Sequence, residues 1–475
     1  MIKKLFLILV CVILVGCSFI PKYNRPESPI SSTWPSAPGY NVDGKKTADL
    51  SANGADIGWD AFYSDPRLKK LIELALNNNR DLRIAALNVD LLRAQYRIGQ
   101  GGAIPKVNAL GSGLRQRDIS SDGDVTTTGK YSVKLGVTSY EIDFFGRVRS
   151  LKKQALENLL ARQEAQRSIQ ISLVAEVATQ YFTERSITEQ LIQAQQTLKS
   201  VQAYYALIKS SYDVGNASEI DLRTAEGQVQ SARADVAHYV RQHAQAENAL
   251  VLLIAQQLPR DLPAPQPFGS AKILSEIPSG LPSDLIARRP DILEAEHQLK
   301  AANANIGAAR AAFFPKITLT GAGGIASIKL TDLFTGASVW NFSPQLTMPI
   351  FDAGANAASL DAAKISKSME VAQYEKVIQT AFREVADALA ASATFDEQID
   401  AQQALVKSQQ QRYDLADVRY RNGIDSYLTV LIAQQDLYRA EQSLIQSQFV
   451  RISNLITLYK ALGGGWEKYS TTPSH

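Results

Sequence analysis

The 475-residue sequence is poor in the residues that build disulfides and metal sites. It has two cysteines, Cys11 and Cys17, both near the N-terminus, with four histidines and three methionines. Cysteines so few and so placed exclude a disulfide framework and a cysteine-based zinc site. The histidines do not form an HExxH pair, and the scarce methionines argue against a relay of soft metal ions. We therefore expect no metal and no cofactor.

An excess of either charge is also missing, and so is a catalytic motif. Fifty Lys and Arg residues stand against 47 Asp and Glu residues, a formal net charge of +3. Nucleic-acid-binding proteins usually carry a basic stripe, so that class is excluded. Residues 321–326 fit a fragment of a dinucleotide-binding pattern, but strand-like rather than helical sequence follows them. No GxSxG serine motif is present. We expect a protein that is not an enzyme and does not bind nucleic acid.

Long hydrophobic runs are absent after the first 16 residues. Two lysines precede an apolar stretch, Leu5–Val15, which is shorter than the roughly 20 residues that span a bilayer and is typical of a signal peptide. The stretch ends in Leu-Val-Gly-Cys, which resembles a bacterial lipobox. That resemblance implies that residues 1–16 are removed and that Cys17 is acylated, which would anchor the chain in lipid. By the same resemblance, Ser18 rather than aspartate after the cysteine favours sorting to the outer membrane.

The sequence repeats itself at a nearly constant separation. Ile104-Pro105-Lys106 corresponds to Phe314-Pro315-Lys316, 210 positions later, and the Tyr-x-x-Gly-x-x-Ser motif at Tyr212 recurs 208 positions later at Tyr420. Such a spacing indicates a duplicated unit of about 200 residues, too long for a solenoid repeat. The predicted segments are a lipid-anchored extended stretch over 17–65, repeat 1 over 66–258, a Pro-rich linker over 259–282, repeat 2 over 283–462 and a tail over 463–475.

Each repeat holds two stretches in which apolar and polar residues alternate. The alternation is clear over 131–138 and 340–348, and weaker over the Gly-rich stretches 106–114 and 316–325. A period of two suits a membrane strand with lipid on one face and water on the other, and it suits a soluble sandwich equally well. Four strands cannot close a barrel, since small barrels need about eight. Closure would require several copies of the chain.

Each repeat also predicts a very long helix and a return helix, after a shorter helix over 80–102 or 290–312. Neither glycine nor proline occurs from Arg147 to Val214 or from Ala355 to Asn422, which predicts helices of about 100 Å. Gly215 and Gly423 are the expected turns, and the return helices are expected over 216–257 and 424–462.

A heptad-like apolar seam is expected where the first hairpin approaches its turn. Its positions are separated alternately by three and four residues, as in a coiled coil. They are Leu191, Ala194, Leu198, Val201, Tyr205, Ile208 and Tyr212, and the second copy reads Ile399, Gln402, Val406, Gln409, Tyr413, Ala416 and Tyr420.

Several segments together resemble the TolC/OprM-type outer membrane factors, in particular their NodT-like lipoprotein branch. They are the lipobox at Cys17, Trp59-x-x-Phe62-Tyr63-x-Asp65-Pro66, residues 140–147, 285–292 (Leu-Ile-Ala-Arg-Arg-Pro-Asp-Ile), Phe314-Pro315, Pro349–Asp352 and Ala461–Trp466. The resemblance implies an α+β membrane protein. Three protomers would contribute four strands each to a trimeric 12-stranded β-barrel, continued by a long α-helical coiled-coil tunnel across the periplasm.

The same resemblance implies a function and partners. The chain would be the outer membrane channel component of a tripartite efflux system, a passive exit duct for small molecules such as drugs, toxic compounds or metal ions. Its expected partners are two further copies in a homotrimer, outer membrane lipid, a periplasmic adaptor protein and an inner-membrane pump of the resistance-nodulation-division class. Two alternatives stay open: a type I protein secretion outlet, and a periplasmic coiled-coil lipoprotein scaffold that forms no channel.

A gate at the periplasmic end is implied as well. Tyr420 matches a family tyrosine that bonds an aspartate on the first hairpin, and Asp221 matches that aspartate. Such a charge-assisted hydrogen bond is worth about 1.5–3 kcal/mol. The turns at Gly215 and Gly423 would mark where the adaptor docks. In the alternative interpretation, Tyr420 is a seam residue and Asp221 a solvated acid at a helix start.

The ring of acidic residues that often narrows the family gate is not reproduced. Thr429 and Ile432 stand where aspartates often occur, and Gln435 stands where a basic residue often follows. A ring of Ile432 predicts an apolar constriction that gates by dewetting and is not blocked by multivalent cations. The nearby acids Asp425 and Asp436 remain possible substitutes.

Overall fold

The computed structural model describes residues 18–35, 54–119, 121, 123–270, 277–278 and 282–470. The predicted signal peptide over 1–16 and the predicted lipid attachment at Cys17 lie outside these residues. The chain forms two compact units. The first comprises the described residues up to Glu27, Leu87–Glu164 and Leu293–Lys376; the second comprises the described residues of 28–86, 165–292 and 377–470.

Helices account for most of the described chain. In the first half they are α1 (Trp59–Phe62), α2 (Pro66–Asn78), α3 (Arg80–Gly101), α4 (Arg147–Asp213) and α5 (Glu219–Ile254). In the second half they are α6 (Pro282–Arg288), α7 (Pro290–Ala311), α8 (Ala355–Arg421) and α9 (Tyr427–Ala461). Short 3₁₀ turns occupy Gly54–Asp56, Phe268–Ser270 and Leu330–Thr335. Among the described residues, no helix combines the length and apolar character needed to cross a membrane.

The strands are β1 (Val107–Ile119), β2 (Val125–Ile142), β3 (Lys316–Ser327) and β4 (Ala337–Thr347). Each half therefore has the same order: a helix, two strands, a very long helix and a return helix. The two long helices α4 and α8 have 67 residues each, as the glycine- and proline-free stretches predict. The strands overlap the predicted stretches, but β1 continues to Ile119 and β2 extends beyond 131–138 at both ends.

The four strands form one antiparallel sheet in the order β1-β2-β3-β4 within the first unit. The register puts Leu135 opposite both Ala109 and Gly323, and Gly323 opposite Trp340. This face of the sheet is apolar and bare: Leu135 is 64% exposed and Trp340 79%. A sheet with an exposed apolar face has the pattern of a strand array that meets lipid.

The opposite face of the sheet is polar. The Ser112 and Ser132 hydroxyls lie 2.8 Å apart across β1 and β2, and Lys134 Nζ donates to Asn341 Oδ1 at 3.5 Å. Between Val137 and Tyr140 the pairing of β2 with β3 is interrupted by a bulge, where Ser139 adopts φ 53°. The alternation predicted over 131–138 is confirmed.

The second unit has an aromatic core beside the Asp65-Pro66 helix start. Asp65 Oδ1 caps α2 by accepting from the Arg67 and Leu68 amides, and its other oxygen accepts from the Tyr181 hydroxyl at 2.6 Å. The rings of Phe62 and Tyr459 stack with their centroids 3.9 Å apart. Residues 59–66 therefore pack the aromatic core and cap helix α2.

Two equivalent joints tie a short helix to the end of a return helix in the second unit. Asn79, just before α3, donates its side-chain amide to the Leu253 carbonyl at 3.0 Å. Arg289, just before α7, donates Nη1 to the Ala461 carbonyl at 2.7 Å. Both carbonyls belong to the last turn of a return helix, where backbone acceptors lack helical partners.

Candidate gate at the hairpin turns

The two glycine turns are built alike. Gly215 and Gly423 adopt φ +80° and +72°, a left-handed conformation that glycine reaches without steric cost. In each turn the glycine amide returns to a tyrosine carbonyl, Tyr212 at 2.9 Å or Tyr420 at 2.8 Å. These bonds satisfy the last carbonyls of α4 and α8 and reverse the chain.

The helices that leave the two turns begin differently. Ser218 and Asp221 form a reciprocal capping box at the start of α5: Ser218 Oγ accepts from the Asp221 amide at 3.1 Å, and Asp221 Oδ2 accepts from the Ser218 amide at 3.3 Å. At the start of α9, the equivalents are Ser426 and Thr429. Ser426 makes no side-chain cap. Asp221 is therefore bound to its own helix start.

Behind the turns lies a cluster of tyrosines between the two hairpins. Tyr204 on α4 and Tyr427 on α9 are each 4% exposed and pack with Ile208, Val430 and Leu431. Tyr420 is half-buried, with its ring centroid 6.4 Å from that of Tyr204 and 6.0 Å from that of Tyr427. The Tyr427 hydroxyl is buried with no hydrogen-bond partner among the described residues. Burial raises its pKa to about 12, with a further contribution from the neighbouring Tyr420.

Tyr204 and Asp417 make a charge-assisted hydrogen bond between the hairpins, one of several polar contacts that join them. The Tyr204 hydroxyl donates to Asp417 Oδ1, and Arg421 Nε donates to both oxygens of the same carboxylate at 2.8 and 2.9 Å. Burial works against ionisation of Asp417, but the bonds from Tyr204 and Arg421 outweigh it and lower the pKa of the carboxyl. Burial and the bond to Asp417 raise the pKa of Tyr204. The link is thus a neutral phenol bound to a charged carboxylate.

The expected bond between Tyr420 and Asp221 is not formed among the described residues of the chain. Asp221 Oδ2 instead accepts from the amide and the hydroxyl of Ser218 in the capping box of α5. Burial is the main cause of the raised pKa of Tyr420, and the negative charge of the nearby Asp221 raises this pKa further. Tyr420 lies in the seam, and the tyrosine–carboxylate bond is formed by other residues.

The expected positions of the acidic ring on α9 carry no carboxylate. Thr429 is exposed, Ile432 is 42% exposed, and Gln435 donates to Gln228 Oε1 at 3.3 Å. The two acids considered as substitutes are both in ion pairs. Asp425 receives two hydrogen bonds from Arg419, at 2.6 and 3.0 Å, and Asp436 pairs with Arg412 at 2.8 Å and with Arg439 at 3.0 Å. Within the described residues, no group of three or more His, Cys, Asp or Glu side chains could hold a metal ion.

Sequence reasoning missed Tyr204, Asp417 and Tyr427. The seam prediction put Tyr205 between Val201 and Ile208, whereas Tyr204 is the more deeply buried of the two. Both tyrosines satisfy a spacing of three and four, so the sequence did not decide between them. Two signals were available: Asp417 lies four residues before Arg421, a spacing that pairs charges on a helix, and Tyr427 directly follows the cap position Ser426.

The chain matches known proteins over almost its whole length. The profile of a family described as outer membrane efflux protein matches residues 71–256 and 281–464. The toluene efflux pump outer membrane protein TtgC of Pseudomonas putida is 50% identical over 458 residues, 96% of this chain and 94% of the relative. The outer membrane protein OprJ of Pseudomonas aeruginosa is 43% identical, over 97% of this chain and 95% of the relative.

A solved structure agrees with these sequence matches. The open state of the MtrE outer membrane channel of Neisseria gonorrhoeae superposes with a TM-score of 0.87 at 39% identity, covering 96% of this chain and 100% of that one. The sheet with its bare apolar face and the paired long hairpins are therefore the architecture of such a channel. The chain belongs to the outer membrane efflux protein family.

Proposed function

We propose that this outer membrane efflux channel works as a homotrimer, a passive exit duct in a tripartite system with a periplasmic adaptor and an inner-membrane pump of the resistance-nodulation-division class. The observation that carries the proposal is the four-stranded sheet. Its apolar face needs lipid, its polar face needs water, and four strands are too few to close a barrel. Three copies supply twelve strands, enough to enclose a polar lumen.

The gate proposed for this duct is the Tyr204–Asp417 link rather than a bond from Tyr420 to Asp221. A hydrogen bond to a charged group contributes about 1.5–3 kcal/mol, so three copies in a trimer contribute about 4.5–9 kcal/mol. Moving a two-state equilibrium from 1:99 to 99:1 takes about 5.5 kcal/mol. Three such links are therefore strong enough to hold the second hairpins in their resting position.

The narrowest part of the duct is proposed to be apolar. The exposed face of α9 near its start presents Leu428 and Ile432, with the uncharged Thr429 between them. An apolar ring excludes water when narrow and admits it when widened, so it gates by dewetting. Such a ring favours small organic solutes over multivalent cations as cargo, and the related TtgC carries the name of a toluene efflux pump. We extend that substrate class, small apolar or weakly polar molecules, to this chain.

The test is to purify the mature protein, determine its mass in detergent and record single channels in planar bilayers. A trimer with a small conductance that Tyr204→Phe increases, and that millimolar trivalent cations do not block, is the expected result. A monomer without conductance under any condition would favour the coiled-coil scaffold. A wide, permanently open pore would favour the protein secretion outlet. A block by trivalent cations would overturn the apolar constriction.

A further inference from the structure

The sheet carries two arginines on its apolar face, near the turn between β1 and β2. Arg115 and Arg117 are separated by one residue on β1, so they lie on the same face as Ala109 and, across the ladder, Leu135. β1 follows α3 and β2 leads into α4, so their turn lies at the end of the sheet remote from these helices. The helices extend into the periplasm, and this end of the sheet therefore faces the cell exterior.

The height of the arginine pair above the apolar residues follows from the strand register. On this face the pairing of β2 with β3 runs from Ile142 opposite Ile317 to Tyr131 opposite Ser327. At about 3.4 Å per residue and a strand tilt of about 40°, these two levels are about 26 Å apart, close to the roughly 25 Å height of the apolar band of a membrane barrel. Arg115 is the next position on this face beyond the Tyr131 level, about 5 Å farther out. The pair therefore lies at the level of the lipid headgroups.

Neither arginine of the pair is neutralised by an acid. Both side chains are exposed, and neither forms an ion pair with another described residue. The neighbouring acid on β1, Asp118, belongs to the opposite face and accepts from Gln116 Nε2 at 2.6 Å. The other edge strand, β4, contains neither Asp nor Glu, so a second copy that pairs its β4 with β1 brings no carboxylate from that strand. Both guanidinium groups are therefore open to an anion from the membrane.

A tyrosine ring and two glycines form the surface next to the arginine pair. Arg115 lies opposite Gly129, and Tyr131 lies opposite Gly113. A Cβ at either glycine would lie 3.1 Å from the Tyr131 ring, and at Gly129 it would also lie 2.5 Å from the Ile328 carbonyl oxygen. The ring therefore covers both glycines, and no side chain stands opposite Arg115. Tyrosine is typical of the boundary between a membrane and water, where its ring meets acyl chains and its hydroxyl meets polar groups.

The second repeat has no counterpart of the arginine pair. The residues 210 positions later are Ile325 and Ser327, which lie on the same face of β3. β3 ends at Ser327, whereas β1 continues past the arginines to Ile119. An arginine on the lipid side of a barrel is costly at the bilayer midplane and cheap near its surface. The pair is therefore a feature of repeat 1, placed where the membrane tolerates it and where anionic headgroups lie.

We propose that Arg115 and Arg117 bind a phosphate group of an outer-leaflet glycolipid, the phosphorylated glucosamine headgroup of lipid A. A guanidinium group binds phosphate through two parallel hydrogen bonds. Two arginines on one face of a strand start about 7 Å apart, so both can reach one phosphate from either side, with the Tyr131 ring beside the first acyl carbons. The inference rests on the proposed trimeric barrel, which would carry three such sites, and it concerns the lipid bound to the barrel rather than transport.

The first measurement is native mass spectrometry of the purified trimer with added lipid. The probes are diphosphorylated lipid A, the same glycolipid without its phosphate groups, phosphatidylglycerol and inorganic phosphate. We expect diphosphorylated lipid A to bind at least about tenfold more tightly than the dephosphorylated form, and the double variant Arg115→Gln, Arg117→Gln to abolish that difference. Replacing both arginines by lysine keeps the charge without the planar fork, so part of the difference should remain.

A matched control is available on the opposite face of the sheet. Lys130 is also exposed near the outer end of β2, but it lies on the polar face, so Lys130→Gln should leave lipid A binding unchanged. Equal binding of the two glycolipid forms by the wild-type trimer would overturn the site. Phosphatidylglycerol or inorganic phosphate bound as tightly as lipid A would overturn the glycolipid assignment.

The second measurement is the temperature at which the trimer dissociates in detergent, with and without lipid A. A ligand that binds only the assembled trimer raises this temperature. We expect the rise in the wild type and in Lys130→Gln but not in the double glutamine variant, which should match the wild type without lipid because both arginines are exposed. A double variant that is already less stable without lipid would assign the arginines a structural role and overturn the site. A wild-type chain that forms no trimer would refute the proposed function, whereas a conducting trimer without preference for phosphate would refute only this inference.

Discussion

The two repeats bind the end of the return helix with different side chains. In repeat 1, Asn79 donates to the carbonyl of Leu253 near the end of α5; in repeat 2, the equivalent Arg289 donates to the equivalent carbonyl of Ala461 in α9. Asn79 also caps α3 by accepting from the amides of Asp81 and Leu82, at 2.9 and 3.0 Å. Arg289 instead binds Asp291 and Glu384. In both repeats a carbonyl at the end of the return helix receives a side-chain donor, but the donor residue differs.

The same divergence marks the turns and the helices before the strands. Both turns use a left-handed glycine, but only the first has a capping box, because Thr429 stands where Asp221 does in repeat 1. Both helices α3 and α7 precede a strand, and the described N-terminal residues hydrogen-bond to α7 through Glu296 and Asn303. The comparison shows that the backbone plan is duplicated, whereas the helix caps and the contacts of the helix before the strands differ between the repeats.

The largest expected effect is the loss of the Arg289 joint. Arg289→Ala leaves Asp291 and Glu384 without their shared cation and removes the donor to Ala461. Breaking a buried pair costs about 3–5 kcal/mol; because both carboxylates are more than one-third exposed, we expect about 3 kcal/mol. Asn79→Ala loses a cap and one hydrogen bond, about 2 kcal/mol. The temperature at which the trimer dissociates in detergent measures both.

The adjacent Arg288 provides the control for that comparison. It pairs with Asp56, and both side chains are more than one-third exposed. Arg288→Ala is therefore expected to change stability by less than about 1 kcal/mol. If Asn79→Ala proved more damaging than Arg289→Ala, the charged joint would not be the stronger of the two.

The next effect concerns the link between the hairpins. Tyr204→Phe and Asp417→Asn each remove a charge-assisted bond of about 1.5–3 kcal/mol per protomer. We expect both to raise the mean single-channel conductance at least about tenfold, whereas Tyr420→Phe and Tyr205→Phe should change it little. A larger effect of Tyr420→Phe would restore the pairing suggested by the sequence. A fall in conductance would mean that the link stabilises the open state.

Acid should weaken the same link. The pKa of Asp417 is lowered in the folded chain, so its contribution is complete above the ordinary aspartate pKa of about 3.9 and is lost as the pH falls through the lower folded pKa. We expect conductance to rise below about pH 4 in the wild-type channel. The Asp417→Asn channel has already lost this contribution, so it should show a smaller rise. An equal rise in both would place the responsible group elsewhere.

The smallest effects are expected at the helix starts after the turns. Asp221→Ala should cost about 1 kcal/mol through the lost capping box, and Thr429→Ala less than about 0.5 kcal/mol. Thr429→Asp should convert the second turn to the chemistry of the first and place a carboxylate beside Ile432. We expect that channel to acquire a block by trivalent cations, measured in bilayers. Continued insensitivity would mean that residue 429 does not face the lumen.

The sequence predicted the helices and strands closely, but not the hydrogen bonds between the hairpins. Glycine- and proline-free stretches gave the long helices almost to the residue, and alternation gave the strands of the sheet. The expected Tyr420–Asp221 bond is not formed among the described residues, and the sequence does not show that Asp221 also serves its own helix start. Burial of Tyr204 rather than Tyr205 depends on the rotation of α4 against its neighbours, which a seven-residue repeat leaves open by one position.

Periodicity, turn residues and local steric limits were enough to predict the helices, the strands and the duplication, and matching motifs identified the family. The packing of the helices determines which acids near the turns pair across the hairpins. Asp221, Asp425 and Asp436 are bound to partners on their own hairpin, whereas Asp417, which Arg421 also binds, accepts a hydrogen bond from Tyr204 on the other hairpin. Two polar groups pair only when their separation is right to within a few tenths of an ångström, and here the groups belong to segments far apart in sequence. Those distances are fixed only when the helices pack.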